Sequence, residues 1–419
     1  MRSARMPLRF NRYNTSDPEN LLELKQEEDQ ALLQVVRLID PNIAPEELIF
    51  LVINTLQRQL DVHRLMILRR DTRTGQKFTE ANFGLKNLPE AGYEELEKIN
   101  RIRKLANSPF PGLKATEAEY IIPLGSEETM SAWILIADFA ETEEETINDL
   151  MFIETIGSIL AISLQNIDLF EEKLEAERMQ RELELAGRIQ RSSLPTRFDL
   201  LPQLEIFARS TPHSSIGGDF YNLLQTGPNE LYFFIADAAG KGTAAALLIT
   251  NITAHLNALI QTGASYHQMI HQLHRVIGQL TSYEAFVTLF LGKIDVAEGR
   301  LEYFNAGHNP PVLTRNGQQT NLTKGCIPLG IMDITEFDVG NEAFGPGDSL
   351  FLYTDGMVEQ MNPLGDLLGE ERINRFVEAS QASTSQAVVK KAFRLVSDFA
   401  DGEPFGDDIT VMHIRHRQA

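Results

Sequence analysis

One cysteine in 419 residues, Cys326, excludes an internal disulfide. It also leaves no cysteine set for a zinc site or a redox pair. Such a chain suits a reducing compartment, and a cytoplasmic location is the expectation. Positive charge is scarce: 38 Lys and Arg stand against 59 Asp and Glu, a net charge of −21. That surface repels nucleic acid and anionic membranes, so neither is an expected partner. No stretch approaches the roughly 18 apolar residues needed to span a bilayer. The most apolar helical stretch, Ile153 to Ile167, is interrupted by Glu154, Ser163, Gln165 and Asn166. Arg2, Arg5, Arg9 and Arg12 precede the first acid, Asp17, without the apolar core of a signal peptide, and read as an unstructured lead-in. What remains is ordinary: 43% hydrophobic and 23% charged residues, the balance of a globular chain of two or three domains.

Ser16-Asp17-Pro18-Glu19 reads as a capping box opening a helix that stops before Pro41, within an N-terminal extension over residues 1–40. Residues 41–165 read as a separate α+β domain. A helix over Pro45–Leu60 is followed by strands at Arg64–Arg69 and Lys77–Phe83, a helix at Tyr93–Ala106, and strands at Tyr120–Leu124 and Ala132–Asp138. Met66, Ile67, Ile121, Ile122, Trp133 and Leu135 read as core. A long helix begins near Glu143. From Met151 to Leu194 there is no proline, and Ile153, Ile156, Leu160, Leu164, Ile167, Phe170 and Leu174 are spaced by threes and fours. Leu183, Ala186 and Ile189 resume the pattern after a polar break. Residues 166–195 therefore read as a helical, coiled-coil-like linker with a homodimer as its consequence; the repeat is short and irregular, and a single helix lying on its own domains is the alternative.

Residues 196–419 read as a second globular unit of sheets covered by helices. Expected strands are Leu204–Ser210, Leu231–Ala236, Phe286–Asp295, Leu301–Asn305, Ser349–Tyr353 and Ile409–Arg415; expected helices are Thr243–Leu259, His267–Leu280, Glu370–Ala379 and Gln386–Phe399. Four aspartates here stand in turn-like settings, most at strand ends and beside glycines: Asp219, Asp237, Asp355 and Asp407. An apolar strand running into an acid places a carboxylate at the lip of a buried sheet. Converging carboxylates cannot all stay ionised without cations. Oxygen-only ligands select hard ions such as magnesium, manganese or calcium. Each Asp-Gly alone is a turn signal; four such placements together favour a metal site.

Two competing motifs fail. Gly240-Lys241-Gly242-Thr243 lacks both the earlier glycine of a phosphate-binding loop, where Ile235 stands, and the hydroxyl residue after the lysine. His267, His271 and His274 lie on one helical face, but Gln268 replaces the glutamate of the zincin pattern, and the face reads as solvated.

The order of motifs then resembles a family. Glu182–Pro195, Gly217-Gly218-Asp219-Phe220-Tyr221, Ala236–Gly242, Phe304–Pro311, Leu352–Gly356 and Gly406–Thr410 are similar, in sequence and order, to bacterial metal-dependent (PPM) serine/threonine phosphatases, including those of sporulation and general stress. The upstream domain is similar to GAF sensor domains in pattern. The resemblance implies an α-β-β-α sandwich with two divalent cations, Mn2+ or Mg2+. Asp237 bridges them, the Ala238 carbonyl and Asp219 serve one ion, and Asp355 and Asp407 serve the other. It implies that a cation-activated water attacks a phosphoserine or phosphothreonine, without a protein nucleophile. Gly218, Lys241, His308 and Asp408 are candidates for places near the substrate, with His308, in the Asn305–Pro311 loop, read first as structural. The implied partner is a phosphorylated anti-anti-sigma (STAS) regulator. Asn222 departs from the pattern where many relatives carry an acid, and no histidine matches the proposed general acid of eukaryotic relatives. Two rival readings follow: an inactive phosphatase-like scaffold, and a hydrolase of small phosphoesters.

Overall fold

The computed structural model describes residues 43–418 except 61, 72, 127–128, 139–142, 333 and 335. The expected capping box at Ser16–Glu19 and its helix lie outside the described residues. The chain divides into two compact units, with the boundary between Glu177 and Arg178.

The first unit contains α1 (Pro45–Leu60), β1 (Arg64–Arg70), β2 (Lys77–Phe83), α2 (Glu90–Glu95), β3 (Arg103–Lys104), α3 (Pro111–Lys114), β4 (Tyr120–Ser126), β5 (Thr129–Ala137) and the start of the long helix α4 (Glu143–Ser192). The sheet order is β2-β1-β5-β4-β3, all antiparallel. Alternation along the strands feeds two cores. Leu65, Ile67, Ile122 and Ile134 pack on α1 and on Ile153, Ile156, Leu160 and Leu164 of α4. Met66, Ile121, Trp133 and Leu135 face Leu96, Ile99, Leu105 and Phe110 on the other side. Each such fully buried side chain contributes ~1.5–3 kcal/mol.

The helix expected over Tyr93–Ala106 is not formed. Helix α2 ends at Glu95, a 3-10 turn follows at Leu96–Lys98, and the chain then extends. Burial of Ile99 and Leu105, a bond from the Trp133 indole N–H to the Ile99 carbonyl, and pairing of Arg103 and Lys104 with β4 outweigh the local helical pattern.

The second unit contains β6 (Leu204–Thr211), β7 (Asp219–Gln225), β8 (Glu230–Ala238), α5 (Thr243–Gln261), α6 (Tyr266–Thr281), β9 (Val287–Asp295), β10 (Arg300–Ala306), β11 (Val312–Arg315), β12 (Gln318–Asn321), β13 (Gly325–Cys326), β14 (Gly340–Ala343), β15 (Ser349–Tyr353), α7 (Asp355–Val358), α8 (Gly369–Ala379), α9 (Ser385–Ala400) and β16 (Ile409–His416). One sheet runs β13-β10-β9-β8-β7 with β14 beside β10; the other runs β12-β11-β15-β16-β6. Phe233, Ile235, Phe290, Leu352 and Met412 fill the space between the sheets. Phe234, Ala236 and Leu289 point outward under α5 and α6, while Phe351, Val411 and Ile409 lie under α8 and α9. The result is four layers, α-β-β-α. Strands buried on both faces read as unbroken apolar runs, which is why Leu231–Ala236 shows no polar alternation.

By length and composition alone, two helical segments, Thr146–Ser192 and Thr243–Gln261, could reach across a bilayer. Ile153, Ile156, Leu160 and Leu164 of the first, and Ile249, Ile252 and Leu256 of the second, are instead taken up in the packed cores.

Candidate active site

The fold delivers acids from both sheets of the second unit to one edge. Asp219 opens β7 and lies directly across from Asp237 of β8 in the antiparallel register. Asp355 is the first residue of α7, just beyond the end of β15, and Asp407 stands two residues before β16. Asp219 is buried, at 5% exposure. One of its carboxylate oxygens accepts a 2.7 Å bond from the Thr354 hydroxyl, and the other is buried without a partner.

The electrostatics follow from this crowding. Burial and then the charge of Asp237 push the Asp219 carboxyl well above its usual range. Burial, followed by Asp355, Asp407, Asp408 and Glu359, raises Asp237 to about 7. Asp355 is also raised, by burial, Glu359 and Asp407. Asp407 is engaged by the Lys241 ammonium at 2.8 Å, which also donates to the Gly406 carbonyl at 2.8 Å. The Asp407 contact in turn raises the Lys241 pKa.

The residues fit hard divalent cations, although among the described residues no group of three or more His, Cys, Asp or Glu side chains is gathered to hold a metal in this conformation. The donor set is all oxygen. The buried free oxygen of Asp219 is costly unless something satisfies it. A cradle also exists beside it. A Cβ on Gly218 would stand 3.1 Å from the Ala238 carbonyl and 3.4 Å from an Asp237 carboxylate oxygen, so glycine keeps both acceptors open. Gly356 serves closeness in another way: a Cβ there would fall 2.0 Å from the Asp408 carbonyl, where the Asp355 turn crosses the chain leading into β16.

Asp408, a candidate for a place near the substrate, takes another role, while His308 takes the structural one first read for it. Asp408 is buried, and its carboxylate accepts from the backbone N–H groups of His213 at 2.7 Å, Gly218 at 2.6 Å and Asp219 at 3.4 Å. It fastens the start of β7 to the start of β16 rather than facing outward. His308 is also buried. Its Nδ1 pairs with the Thr288 hydroxyl at 2.9 Å, and burial lowers its pKa to about 4. Thr288 lies opposite Asp237 in the sheet, so His308 supports that strand from behind. Gly218 and Lys241 lie at the acidic edge itself.

The histidine face of α6 is not wholly solvated as expected. His274 is buried and accepts from the Gly330 N–H at 3.2 Å, while His267 stacks on Phe337 with ring centroids 4.4 Å apart. Sequence patterning could not place Phe337 against that helix. Asn222, in place of an acid, donates to the Asn257 side chain at 2.9 Å.

The sequence reading missed the grip of the final turns of α4 on the loop before Asp219. Gln190 bonds Gly217 in both directions, donating to its carbonyl at 2.7 Å and accepting from its N–H at 3.2 Å. Arg191 donates to the Ser215 carbonyl at 3.1 Å. Gly187 is the contact point, since a Cβ there would fall 1.9 Å from the same carbonyl. The glycine within an otherwise good helix was the available signal.

Residues 227–417 match the family described as Stage II sporulation protein E (SpoIIE). The chain is 26% identical over 238 residues to the phosphoserine phosphatase RsbU of Bacillus subtilis (strain 168), covering 56% of this chain and 70% of that protein. It is 30% identical over 186 residues to the phosphoserine phosphatase RsbP of the same organism, spanning 46% of RsbP and 43% of this chain. Among solved structures, the SiaA-PP2C domain of Pseudomonas aeruginosa superposes with a TM-score of 0.52 at 20% identity, covering 98% of that domain and 57% of this chain. The fold of the second unit is therefore that of a PP2C phosphatase domain.

Proposed function

We propose that the chain is a metal-dependent serine/threonine protein phosphatase whose catalytic unit is the second one. The observation that carries this reading is the meeting of Asp219, Asp237, Asp355 and Asp407 at one sheet edge, with Asp237 raised to about 7 and one Asp219 oxygen unsatisfied. The matches to phosphoserine phosphatases point the same way. Asp237, Asp219 and the Ala238 carbonyl would hold one divalent cation, and Asp355 and Asp407, with Asp237 shared, the other. Two such cations supply an activated water at neutral pH and offset the charge of a phosphoryl group. The chain's own residues do the rest. The strands fix the carboxylates in place, Asp408 ties the two sheets together beside them, and His308 and Thr288 brace the Asp237 strand. Lys241, once Asp407 ligates an ion, has an ammonium free to meet phosphoryl oxygens.

The substrate within this reading is a phosphoserine or phosphothreonine on a regulatory protein of the anti-anti-sigma (STAS) type. The first unit is a GAF-like sensor, and α4 is the linker that carries its state to the site. Support for the coupling is physical: α4 is continuous from Glu143 to Ser192, and its last turns clasp Ser215 and Gly217 next to Asp219. Leu174, Leu185 and Ile189, exposed at 38%, 51% and 61%, fall on one side of this helix, which supports dimerisation through it.

The test is phosphate release from p-nitrophenyl phosphate with Mn2+, with and without EDTA, beside Asp237→Ala and Asp355→Ala. Manganese-dependent release lost in both variants is the expected result. No release and no bound manganese, in the full chain and in the segment from Leu183 onward, would mark a scaffold.

A further inference from the structure

The acidic edge opens on one side into a cavity of about 500 Å³. That is the size of a ligand or peptide subsite, larger than a packing defect. Asp407 and Gly356 form its inner wall, so it is continuous with the candidate catalytic centre. Its outer wall comes from the segments 359–365 and 403–406. The two are pinned to each other by Gln360, which is 2% exposed. The Gln360 amide donates to the carbonyls of Met361 at 2.9 Å and Pro404 at 3.3 Å, and accepts from the Gly406 N–H at 3.4 Å. The rim is also internally tied. The Asn362 side chain accepts from the N–H groups of Leu364 at 3.0 Å and Asp366 at 2.9 Å. The cavity is thus a built feature rather than a gap between slack loops.

Its chemistry is one-sided. Glu359, Glu403 and Asp407 line it, against the single cation Lys241. The Lys241 ammonium contacts Asp407 and the Gly406 carbonyl, is turned toward the phosphoryl group in the cation-bound state of the phosphatase reading, and pairs with neither Glu359 nor Glu403. Glu359 and Glu403 are exposed, and no ion pair is formed by either among the described salt bridges. Met361, Pro363 and Pro404 give the same wall an apolar surface. An apolar wall beneath free carboxylates suits a side chain with an aliphatic stem and a cationic head. It repels a second phosphate or an acidic peptide.

We propose that this cavity is a specificity subsite of the phosphatase, taking an arginine or lysine that flanks the phosphorylated residue of the protein substrate. The proposal rests on the phosphatase reading. It adds that the enzyme selects by the charge next to the phosphate, with Glu359 and Glu403 as the selecting residues.

The experiment uses the full chain with saturating Mn2+ and phosphoserine peptides identical except for arginine, alanine or glutamate near the phosphoserine. The readout is the ratio of kcat/KM values within each protein, so any change in overall rate cancels. The wild type should favour the arginine peptide over the glutamate peptide by about tenfold, the worth of two partly exposed charge pairs. The preference should shrink as salt is added. E359Q/E403Q should bring the ratio close to one, and E403K should favour the glutamate peptide. Equal kcat/KM for all three peptides in the wild type, or a preference that survives in the double variant, overturns the subsite. Absence of phosphate release from every peptide and from p-nitrophenyl phosphate overturns the phosphatase reading itself, and the subsite with it.

Discussion

Manganese should stabilise the second unit and leave the first untouched, and the position of one residue makes the difference visible. Trp133 is the sole tryptophan and is fully buried in the first unit. Tryptophan fluorescence therefore follows that unit alone, while calorimetry follows both. At a free Mn2+ concentration about 100 times its Kd, binding to the native state adds ~2.7 kcal/mol. For a unit of this size that is an upward shift of about 5–10 °C in one calorimetric transition. The Trp133 transition should not move. The same geometry predicts an opposite response to neutralising Asp237. Its folded pKa of about 7 lies above the ordinary 3.8, so the fold favours the protonated form. The favourable contribution is complete below pH 3.8 and is lost as pH rises through 7. At pH 8 in EDTA, the ionised carboxylate costs about 2–4 kcal/mol, which Asp237→Asn should recover. The variant should then be more heat-stable than the wild type without metal, and should show no manganese shift. Near pH 4 the difference between the two should vanish. A variant less stable than the wild type at pH 8 in EDTA, or a manganese shift that persists in it, would refute the electrostatic account of the site.

Three further outcomes are expected. Gly187→Ala gains ~1 kcal/mol in helix propensity but drives a methyl to 1.9 Å from the Ser215 carbonyl; the displaced loop should lower manganese affinity measured by calorimetric titration, whereas unchanged affinity would mean that α4 and that loop are not coupled. His413 is buried at pKa about 4, through burial and the charge of Arg415, and bonds the Ser385 hydroxyl at 2.8 Å. Because the fold favours its neutral form, its stabilisation is present above pH 6.5 and is lost as pH falls toward 4, roughly 3 kcal/mol in all; His413→Gln should flatten that acid limb in urea titrations. Prolines at Leu174 and Leu183 should break α4 and leave phosphate release insensitive to whatever signal the first unit receives, and regulation that survives both prolines would remove the linker from the pathway.

Central strands of the second unit such as β8 and β9 were legible because they are buried on both faces, whereas the short strands β11 to β14 were not foreseen. Leu231–Ala236 is apolar at every position, and its shortness and aromatic content favour a central strand of a covered sheet over a buried helix. Strand β7 was not foreseen, since its first residue is Asp219 and its polar Asn222 breaks the run. The helix expected at Tyr93–Ala106 shows the opposite failure. Its apolar spacing is real, but Leu96 satisfies it from a 3-10 turn and Ile99 and Leu105 from the chain beyond, all three lining one core. Of the site, the strand-end aspartates were readable from local pattern. The division of labour between Asp407 and Asp408 was not. Adjacent in sequence, one looks into the open cavity and the other spends its carboxylate on three backbone N–H groups more than 180 residues away. Only the pairing of distant strands decides which is which.

That placement of Asp408 also offers a physical route by which α4 would act on the proposed metal site. Asp219 and Asp237 belong to one sheet, whereas Asp355 and Asp407 are fixed by the other, so the spacing of the four proposed ligands depends on how the sheets meet at this edge. Asp408 sets that junction by holding the backbone at Gly218 and Asp219. Gln190 of α4 holds Gly217, the adjoining residue. A small rotation of the last turns of α4 would therefore act on the residue next to the Asp408 clasp, at the hinge between the two ligand pairs. Packed sheets do not deform gradually. The short segment from Ser215 to Gly218, carrying two glycines and held by side chains at both ends, is where such a rotation would act first.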